Sequence, residues 1–355
     1  MMAAGKMPPR SYLFWPFVVM TIGLAGCFAL GWNMTGSIAG SLTYLMIGAV
    51  LFVLEISLSF DNAIINANKL QQMTERWRRR FLTWGILIAV FGMRIVFPVA
   101  IVAIAAKISP FAAIELAVVR PDEYERIIGN AHLSISAFGG TFLMMVALSY
   151  FIDEKKDIHW IHVLETRMRR WASIPGLKIA LVLILVISFG LALPRADAAT
   201  FLIATIFGLF TFLGVELLSR ILEAEAEPQD MARRGGLGFF LYLELMDASF
   251  SFDGVIGAFA LTTNLFLIAI GLGVGAVYVR ALTVLLVERG TLAEFRYLEH
   301  GAFYSILALS VIMFAQSLLH IPEVVTGLLS AGLIGLALWS SVLHNRRHPK
   351  SFSIE

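Results

Sequence analysis

The sequence predicts an all-α membrane protein with about ten transmembrane helices. Hydrophobic residues make up 59% and charged residues 15% of the 355 residues, and long apolar runs recur along the whole chain. A soluble domain is typically about 25% charged, so most of this surface must face lipid. We therefore expect the lipid bilayer as a partner and no nucleic acid, since the net charge of +2 is spread over many loops.

The apolar runs are long enough to cross a bilayer, which takes about 20 helical residues. They predict helices near residues 12–32, 39–66, 81–105, 134–152, 177–193, 199–222, 237–262, 265–287, 302–320 and 322–343. Nearly all of the 27 Lys and Arg residues fall in alternate connecting segments, and the opposite segments carry only Lys107, Arg120, Arg126 and Arg195. By the positive-inside rule, this asymmetry predicts a multi-pass protein of the inner (plasma) membrane with both termini in the cytoplasm.

The first helix contains a sequence with two interpretations. Leu24-Ala25-Gly26-Cys27 follows a basic start and an apolar stretch, as in a bacterial lipoprotein processing site. The apolar run continues through Trp32, which favours a full-length span over a short signal core. Cys27 is also the only cysteine, which excludes an intramolecular disulfide.

Two helices carry acidic residues with the same spacing. Glu55 and Asp61 lie six residues apart in the second helix, and so do Asp247 and Asp253 in the seventh. A carboxylate near the bilayer centre costs about 2.5–3.5 kcal/mol, so residues of this kind need partners or a function. The repeated spacing indicates a functional site, and a purely structural set of buried ion pairs is the alternative.

The ten helices divide into two sets of five, in residues 1–198 and 199–345, followed by a cytoplasmic tail over residues 346–355. Because five is odd, the second set is inserted upside down, as in many transporters. The helix after each acidic helix carries one arginine near mid-span, Arg94 and Arg280 respectively. The sequence therefore predicts a 5 + 5 inverted-topology repeat with a site at the repeat interface.

Oxygen atoms dominate the residues around these acids. Hydroxyl side chains lie four residues from a carboxylate or within the same motif, and these supporting residues are Ser57, Ser59, Ser249 and Ser251. Residues four apart are neighbours on a helix, although serine hydroxyls could equally bond to helical carbonyls. Oxygen ligands suit Mn²⁺, Ca²⁺ or Mg²⁺. No histidine accompanies the acids, and we expect the seven histidines to be solvated at helix ends or in loops.

Residues six apart diverge by about 120° on a straight helix, so Glu55 and Asp61 would not share a ligand without a local change. Asn, Asp and Gly weaken helices, and Asp61-Asn62 and Asp253-Gly254 therefore predict a break in each acidic helix. Carboxylates outnumber the arginines within the spans. The surplus implies protonated carboxylates or a bound cation, and both belong to a cation/proton exchanger.

The residues of the two acidic helices and of the helix after the first one resemble a known family. The stretch Glu55-x-x-Leu58-Ser59-x-Asp61-Asn62, followed by Trp84-Gly85-Ile86 and Arg94, looks like the first half of the TerC family of integral membrane proteins. Glu244-x-x-Asp247-x-x-Phe250-Ser251-x-Asp253 looks like the second half. The family is named for tellurium resistance, and several members are implicated in Mn²⁺ efflux. The resemblance, over roughly residues 40–320, implies the metal ligands Glu55, Asp61, Asn62, Glu244, Asp247 and Asp253, with Arg94 by position.

The chain departs from the family pattern at Gly254, where Ser is commoner, and in the long charged loop 153–178. The expected function is divalent metal cation transport, most simply Mn²⁺ efflux, with no catalytic residue and no cofactor beyond the transported cation. A non-transporting scaffold or stress-response protein of the tellurium-resistance type is the main alternative. An intramembrane aspartyl protease using Asp61 and Asp253 is a minor one, because the expected Gly-x-Gly-Asp signature is absent.

Overall fold

A computed structural model describes residues 9–153, 156, 158–171, 173–224, 237–259, 261–262, 264–289, 295–319, 321 and 323–347. The structure is 88% helical, with no strand among the described residues. Most of the predicted tail, residues 348–355, lies outside them. The predicted all-helical class is therefore confirmed.

The helices follow one another through short connections. They are α1 (Pro9–Thr35), α2 (Ile38–Gln72), α3 (Glu75–Leu87), a π-helix (Ile88–Val96), α4 (Phe97–Ala106), α5 (Pro110–Val119), α6 (Pro121–Phe151), α7 (His162–Arg170), α8 (Leu177–Ala192), α9 (Arg195–Ala224), α10 (Leu237–Phe259), α11 (Leu265–Arg289), α12 (Leu298–Ala315) and α13 (Glu323–Arg347).

Within the described ranges, seven helices are long and apolar enough to cross a membrane, namely α1, α2, α6, α9, α11, α12 and α13. The other three predicted spans are helical as well, but each departs from a simple apolar span. The third is divided among α3, the π-helix and α4, and α8 has only 16 residues. Helix α10 carries three acids, Glu244, Asp247 and Asp253. These features support a multi-pass membrane protein.

Large apolar side chains cover the outer surface of the bundle. Trp15, Phe210, Leu191 and Trp339 are all more than 60% exposed. A monomeric soluble protein rarely exposes so much contiguous apolar surface. Lipid contact explains this exposure, in agreement with the predicted association with a bilayer.

Small residues bring α1, α2 and α11 close together at the centre of the bundle. A Cβ added at Gly271 of α11 would lie 2.6 Å from Leu51 Cβ, and one at Gly275 would lie 2.5 Å from Glu55 Cβ. Such close backbone approach is how helices pack in membranes. Cys27 is buried against Gly48 of α2. Helix α1 continues past Cys27 without interruption to Thr35, so it has the length of the predicted full span.

Three local expectations are wrong. Helix α2 runs unbroken through Asp61-Asn62 and α10 through Asp253-Gly254, because the surrounding helices keep both segments in regular helical conformation. Helix α6 begins at Pro121, well before residue 134, since its first turns are polar and do not register as an apolar run. His300 is 3% exposed rather than solvated.

Candidate functional site

Four elements surround a small polar cavity inside the bundle, which we call the interior cavity. Its volume is about 30 Å³, and the lining residues are Glu55, Ser59, Asn62 and Asn66 of α2, Arg94 of the π-helix, Asp247 of α10, and Ala276, Val279, Arg280 and Thr283 of α11. The structure thus brings together two acids and both arginines that the sequence singled out. In the middle of an apolar bundle, this is the obvious candidate site.

Helix α2 contributes a stripe of polar residues on one face. Glu55, Ser59, Asn62 and Asn66 follow one another at steps of four, three and four residues, which is the spacing that keeps side chains on one side of a helix. All four are buried. The stripe, rather than a break in the helix, aims these groups at the cavity.

Glu55 pairs with Arg94 inside this cavity. The Arg94 guanidinium forms a hydrogen-bonded ion pair with the Glu55 carboxylate, and Ser59 Oγ donates to the same oxygen at 2.7 Å. Arg94 lies in the π-helix Ile88–Val96. Segments of this type are rare and occur frequently at functional sites, so the π-helix is a second indication of function here.

Asp247 receives two hydrogen bonds from α2. The side-chain amides of Asn62 and Asn66 donate to Asp247 Oδ1 at 2.6 Å and 3.0 Å. These bonds join the second and seventh predicted helices directly. The predicted ligand Asn62 therefore contacts an acid of the other half of the chain, and Asn66 does the same.

Glu244 and Arg280 lie beside Gly85 of α3. A Cβ at Gly85 would lie 2.6 Å from Arg280 Nη2 and 2.8 Å from Glu244 Oε1, so a larger residue there would have to displace the ends of both side chains. The Arg280 guanidinium also donates to the Phe81 carbonyl and lies over the Phe81 ring, 3.8 Å from its centroid. A cation over an aromatic face is favourable. Arg280 is thus held at the cavity by the carbonyl and the ring of Phe81, with the Glu244 carboxylate nearby.

The remaining predicted residues are not gathered into the interior cavity as described. Asp61 is fully buried, but its Oδ1 accepts from the backbone N–H of Asn62 and it does not line the cavity. Ser57 Oγ donates to the Val53 carbonyl at 2.9 Å and faces an apolar groove between α2 and α13. The side chains of Ser249, Ser251 and Asp253 lie outside the described residues.

Several site residues were not predicted. Asn66 continues the polar stripe of α2 and Gly85 belongs to the Trp84-Gly85-Ile86 motif, but neither was among the predicted site residues, whereas Thr283 and Gly275 depend on which helices pack together. Glycine in a helix has many causes. Only the packed structure shows that Gly85 and Gly275 make room for Arg280, Glu244 and Glu55.

The donor set of this region fits a hard cation. Among the buried oxygens without a hydrogen-bond partner in the described part of the chain, five belong to the predicted acids and to the α2 stripe: Asp61 Oδ2, Asn62 Oδ1, Asn66 Oδ1, Glu244 Oε1 and Glu244 Oε2. Carboxylate and amide oxygens of this kind are the ligands of Mn²⁺, Ca²⁺ and Mg²⁺. In this arrangement, no three His, Cys, Asp or Glu side chains of the described ranges converge to hold a metal, and arginine cations accompany the acids instead.

A second polar cavity lies at the end of the bundle where α2 ends and α10 and α12 begin, and we call it the vestibule. Its volume is about 410 Å³, and its polar lining comprises Asn68, Lys69, Ser149, Tyr150, Asp153, Lys156, Tyr242, Arg296, Glu299 and His300. The Asn68 side-chain amide donates to the Glu299 carboxylate. The predicted sites did not include this region.

A buried acid fixes the segment that forms one wall of the vestibule. Glu165 of α7 is fully buried and accepts from Ile161 N at 3.0 Å, from Tyr304 Oη at 3.1 Å, and from Trp160 N, while Lys156 Nζ lies 2.9 Å away. Burial alone raises the pKa of the Glu165 carboxyl, but these donors outweigh it, and the net pKa falls below the usual value. Burial also lowers the pKa of Lys156. Glu165 therefore stays ionised and holds the segment on α12.

The bundle and its buried charges define a multi-pass helical membrane protein. The chain belongs to the family described as "Protein of unknown function (DUF475)", whose model matches residues 60–348. No curated protein and no solved structure matches it significantly. The family fits a membrane protein, and the resemblance to TerC stays a prediction.

Proposed function

We propose that this protein is an integral membrane transporter that exports a divalent metal cation in exchange for protons, with Mn²⁺ as the preferred cation. The observation that supports it most is the interior cavity, where Glu55 and Asp247 face Arg94 and Arg280. Charges at this depth are costly and mark ion pathways or proton relays in membrane proteins. A scaffold has no evident need for two matched acid and arginine pairs.

The pairs also support the inverted repeat. Glu55 and Arg94 belong to the proposed first unit, residues 1–198, and Asp247 and Arg280 to the second, residues 199–345. Both pairs line the same cavity, as expected when two repeats meet around a pseudo-two-fold axis in the membrane plane. The distribution of Lys and Arg places both termini in the cytoplasm in this proposal.

The arginines supply positive charge to the acids at the stage of the proposed transport cycle when no metal is bound. Without a cation, neighbouring carboxylates repel one another, and the low dielectric makes that repulsion strong. Arg94 on Glu55, and Arg280 beside Glu244, neutralise the acids in the arrangement seen here. A metal ion arriving with its two positive charges would displace them, and the unpaired oxygens of Asn62 and Asn66, which line the cavity, would complete its shell.

The test is Mn²⁺ flux through the purified full-length chain in proteoliposomes. We expect Asp247→Asn to reduce the rate by about 100-fold, because the variant removes a charge that no neighbour replaces. Glu75→Gln is the matched control, since Glu75 is an exposed acid that pairs with its neighbour Arg79 on the same helix, and its rate should equal that of the wild type. A folded wild type that moves none of Mn²⁺, Ca²⁺ and Mg²⁺ would overturn the proposal and favour the scaffold.

A further inference from the structure

We propose that the vestibule is the cytoplasmic entrance of the cation path and that Glu299 binds the cation there while the cation still carries its water. This inference deepens the proposed function, on which it rests, by assigning an entry site to the same cargo. Three features of the vestibule support this assignment: its position, its size and its charge.

The vestibule lies in line with the interior cavity along two helices. On α2, Asn62 and Asn66 line the interior cavity, and Asn68 lines the vestibule. On α10, Asp247 lines the first and Tyr242 the second. At a rise of about 1.5 Å per residue, these steps are a few ångströms along each helix, so the two cavities follow one another along the helix axes.

The two cavities differ in what they can hold. A cavity needs about 10–15 Å³ to hold one water, so the interior cavity of about 30 Å³ has room for one or two waters or for a stripped ion. A cation with six waters needs roughly 60–90 Å³ by the same measure, which the vestibule of about 410 Å³ provides. A cation that passes from one to the other must therefore lose its water between them.

Glu299 is the acid best placed to hold the hydrated ion. It lines the vestibule, and the Asn68 amide fixes its carboxylate. The formal charges of Lys69, Lys156 and Arg296 are offset by those of Asp153, Glu299 and the buried Glu165, which pairs with Lys156. A site in a nearly neutral surrounding binds weakly, and an entry site has to let its ion move on.

The change in size also provides selectivity. Mg²⁺ gives up its water reluctantly and usually keeps several waters when it is bound to protein. Mg²⁺ should therefore enter the vestibule and bind at Glu299 without proceeding to the interior cavity. On this basis Mg²⁺ is a competitive blocker of Mn²⁺ at the cytoplasmic face rather than a cargo.

The experiment measures initial Mn²⁺ uptake by everted membrane vesicles that contain the full-length chain, with and without Mg²⁺ outside. Glu299→Gln should raise the half-saturating Mn²⁺ concentration about tenfold and weaken Mg²⁺ inhibition by the same factor, with the maximal rate retained. Glu299→Asp keeps the carboxylate, so its half-saturating Mn²⁺ concentration and its Mg²⁺ inhibition should stay close to those of the wild type. Glu75→Gln should change neither quantity.

Other outcomes would separate this inference from the proposed function. A lower maximal rate at unchanged half-saturation would make Glu299 a structural residue and overturn the entry site. If the wild type shows no flux, Mn²⁺ binding to the purified chain is measured by electron paramagnetic resonance. If Glu299→Gln abolishes Mn²⁺ binding and Asp247→Asn retains it, the vestibule binds the cation although the protein does not transport it. If the wild type binds no Mn²⁺, the vestibule site is wrong as well.

Discussion

At the scale of single residues, the site is defined by which charge is paired with which. Arg94 is 5% exposed and pairs with Glu55, which is 1% exposed. Breaking a buried pair by removing one partner is costly, about 3–5 kcal/mol, because it leaves an uncompensated charge. Whatever replaces the arginine in a working transporter must therefore bring positive charge, and a metal ion or a proton would do so.

We expect Arg94→Ala to slow Mn²⁺ turnover while equilibrium Mn²⁺ binding stays the same or tightens. Without the guanidinium, the carboxylates hold either metal or protons and are difficult to empty. Arg94→Lys should restore only part of the rate, because an ammonium keeps the charge but lacks the planar fork. Flux in proteoliposomes and Mn²⁺ binding to the purified variant measure the two quantities separately. Loss of the protein from the membrane would instead make Arg94 a structural counter-ion.

The sequence predicts residue contacts well within one helix and poorly between helices. The spacing of Glu55 and Ser59 correctly implied their hydrogen bond, since a helix places residues four apart side by side. The same spacing paired Ser57 with Asp61, but the Ser57 hydroxyl bonds to the backbone one turn earlier. The bonds from Asn62 and Asn66 to Asp247 depend on how α2 and α10 pack, which spacing along one chain does not contain.

At the scale of helices, the site depends on how closely α2 and α11 approach. Gly275 faces Glu55, and an added Cβ there would lie 2.5 Å from Glu55 Cβ and 3.1 Å from the Phe52 carbonyl oxygen. Neither is the far end of a flexible side chain, so the helices would have to separate. The register of Glu55 against Arg280 on α11 follows from this contact.

Gly275→Ala should therefore destabilise the protein by about 1–3 kcal/mol, as overpacking usually does. Gly26→Ala is the matched control, because Gly26 is also in a helix but has open space where the Cβ would be. Alanine favours a helix over glycine by up to about 1 kcal/mol, so the control should be neutral or slightly stabilising. Thermal unfolding in detergent measures both. Equal midpoints for the two variants would show that α2 and α11 have room to spare.

Helix positions were predictable from apolar runs, but local irregularities were not. Most described residues of each of the ten predicted segments are helical, because burial in lipid demands satisfied backbone groups. The irregularity was expected at Asp61-Asn62 and occurs instead at Ile88–Val96. The residues of the π-helix are ordinary apolar types apart from Arg94, so helix propensity does not explain its position.

At the scale of the whole molecule, the number of crossings decides which residues share a compartment. Seven helices qualify as spans by length and apolarity, whereas the Lys and Arg distribution predicts ten. The three additional crossings are the divided third segment, the short α8 and the acidic α10. The third segment contains Arg94 and α10 contains three acids, so site residues make both of them poor apolar spans. Helix α8 is short, with 16 residues, and the structure gives no functional reason for this.

Cysteine labelling distinguishes the two topologies in a Cys27→Ser background, which removes the only native thiol. Ten crossings predict that an impermeant maleimide applied to whole cells labels cysteines at Asp122, Arg195 and Leu261, all exposed positions. Cysteines at the exposed positions Glu75, Arg167 and Arg296 should react only after permeabilisation.

With seven crossings, Asp122 would lie on the same side as Glu75, and Arg167 would lie outside with Arg195. Protection of Asp122→Cys together with labelling of Arg167→Cys in intact cells would therefore contradict the inverted repeat. The matched positions of Glu55 and Asp247, and of Arg94 and Arg280, around one cavity would then lack a symmetric origin. The expected pattern would place the vestibule in the cytoplasm, because the vestibule is lined by the ends of α2 and α6 that adjoin Glu75 and Arg167.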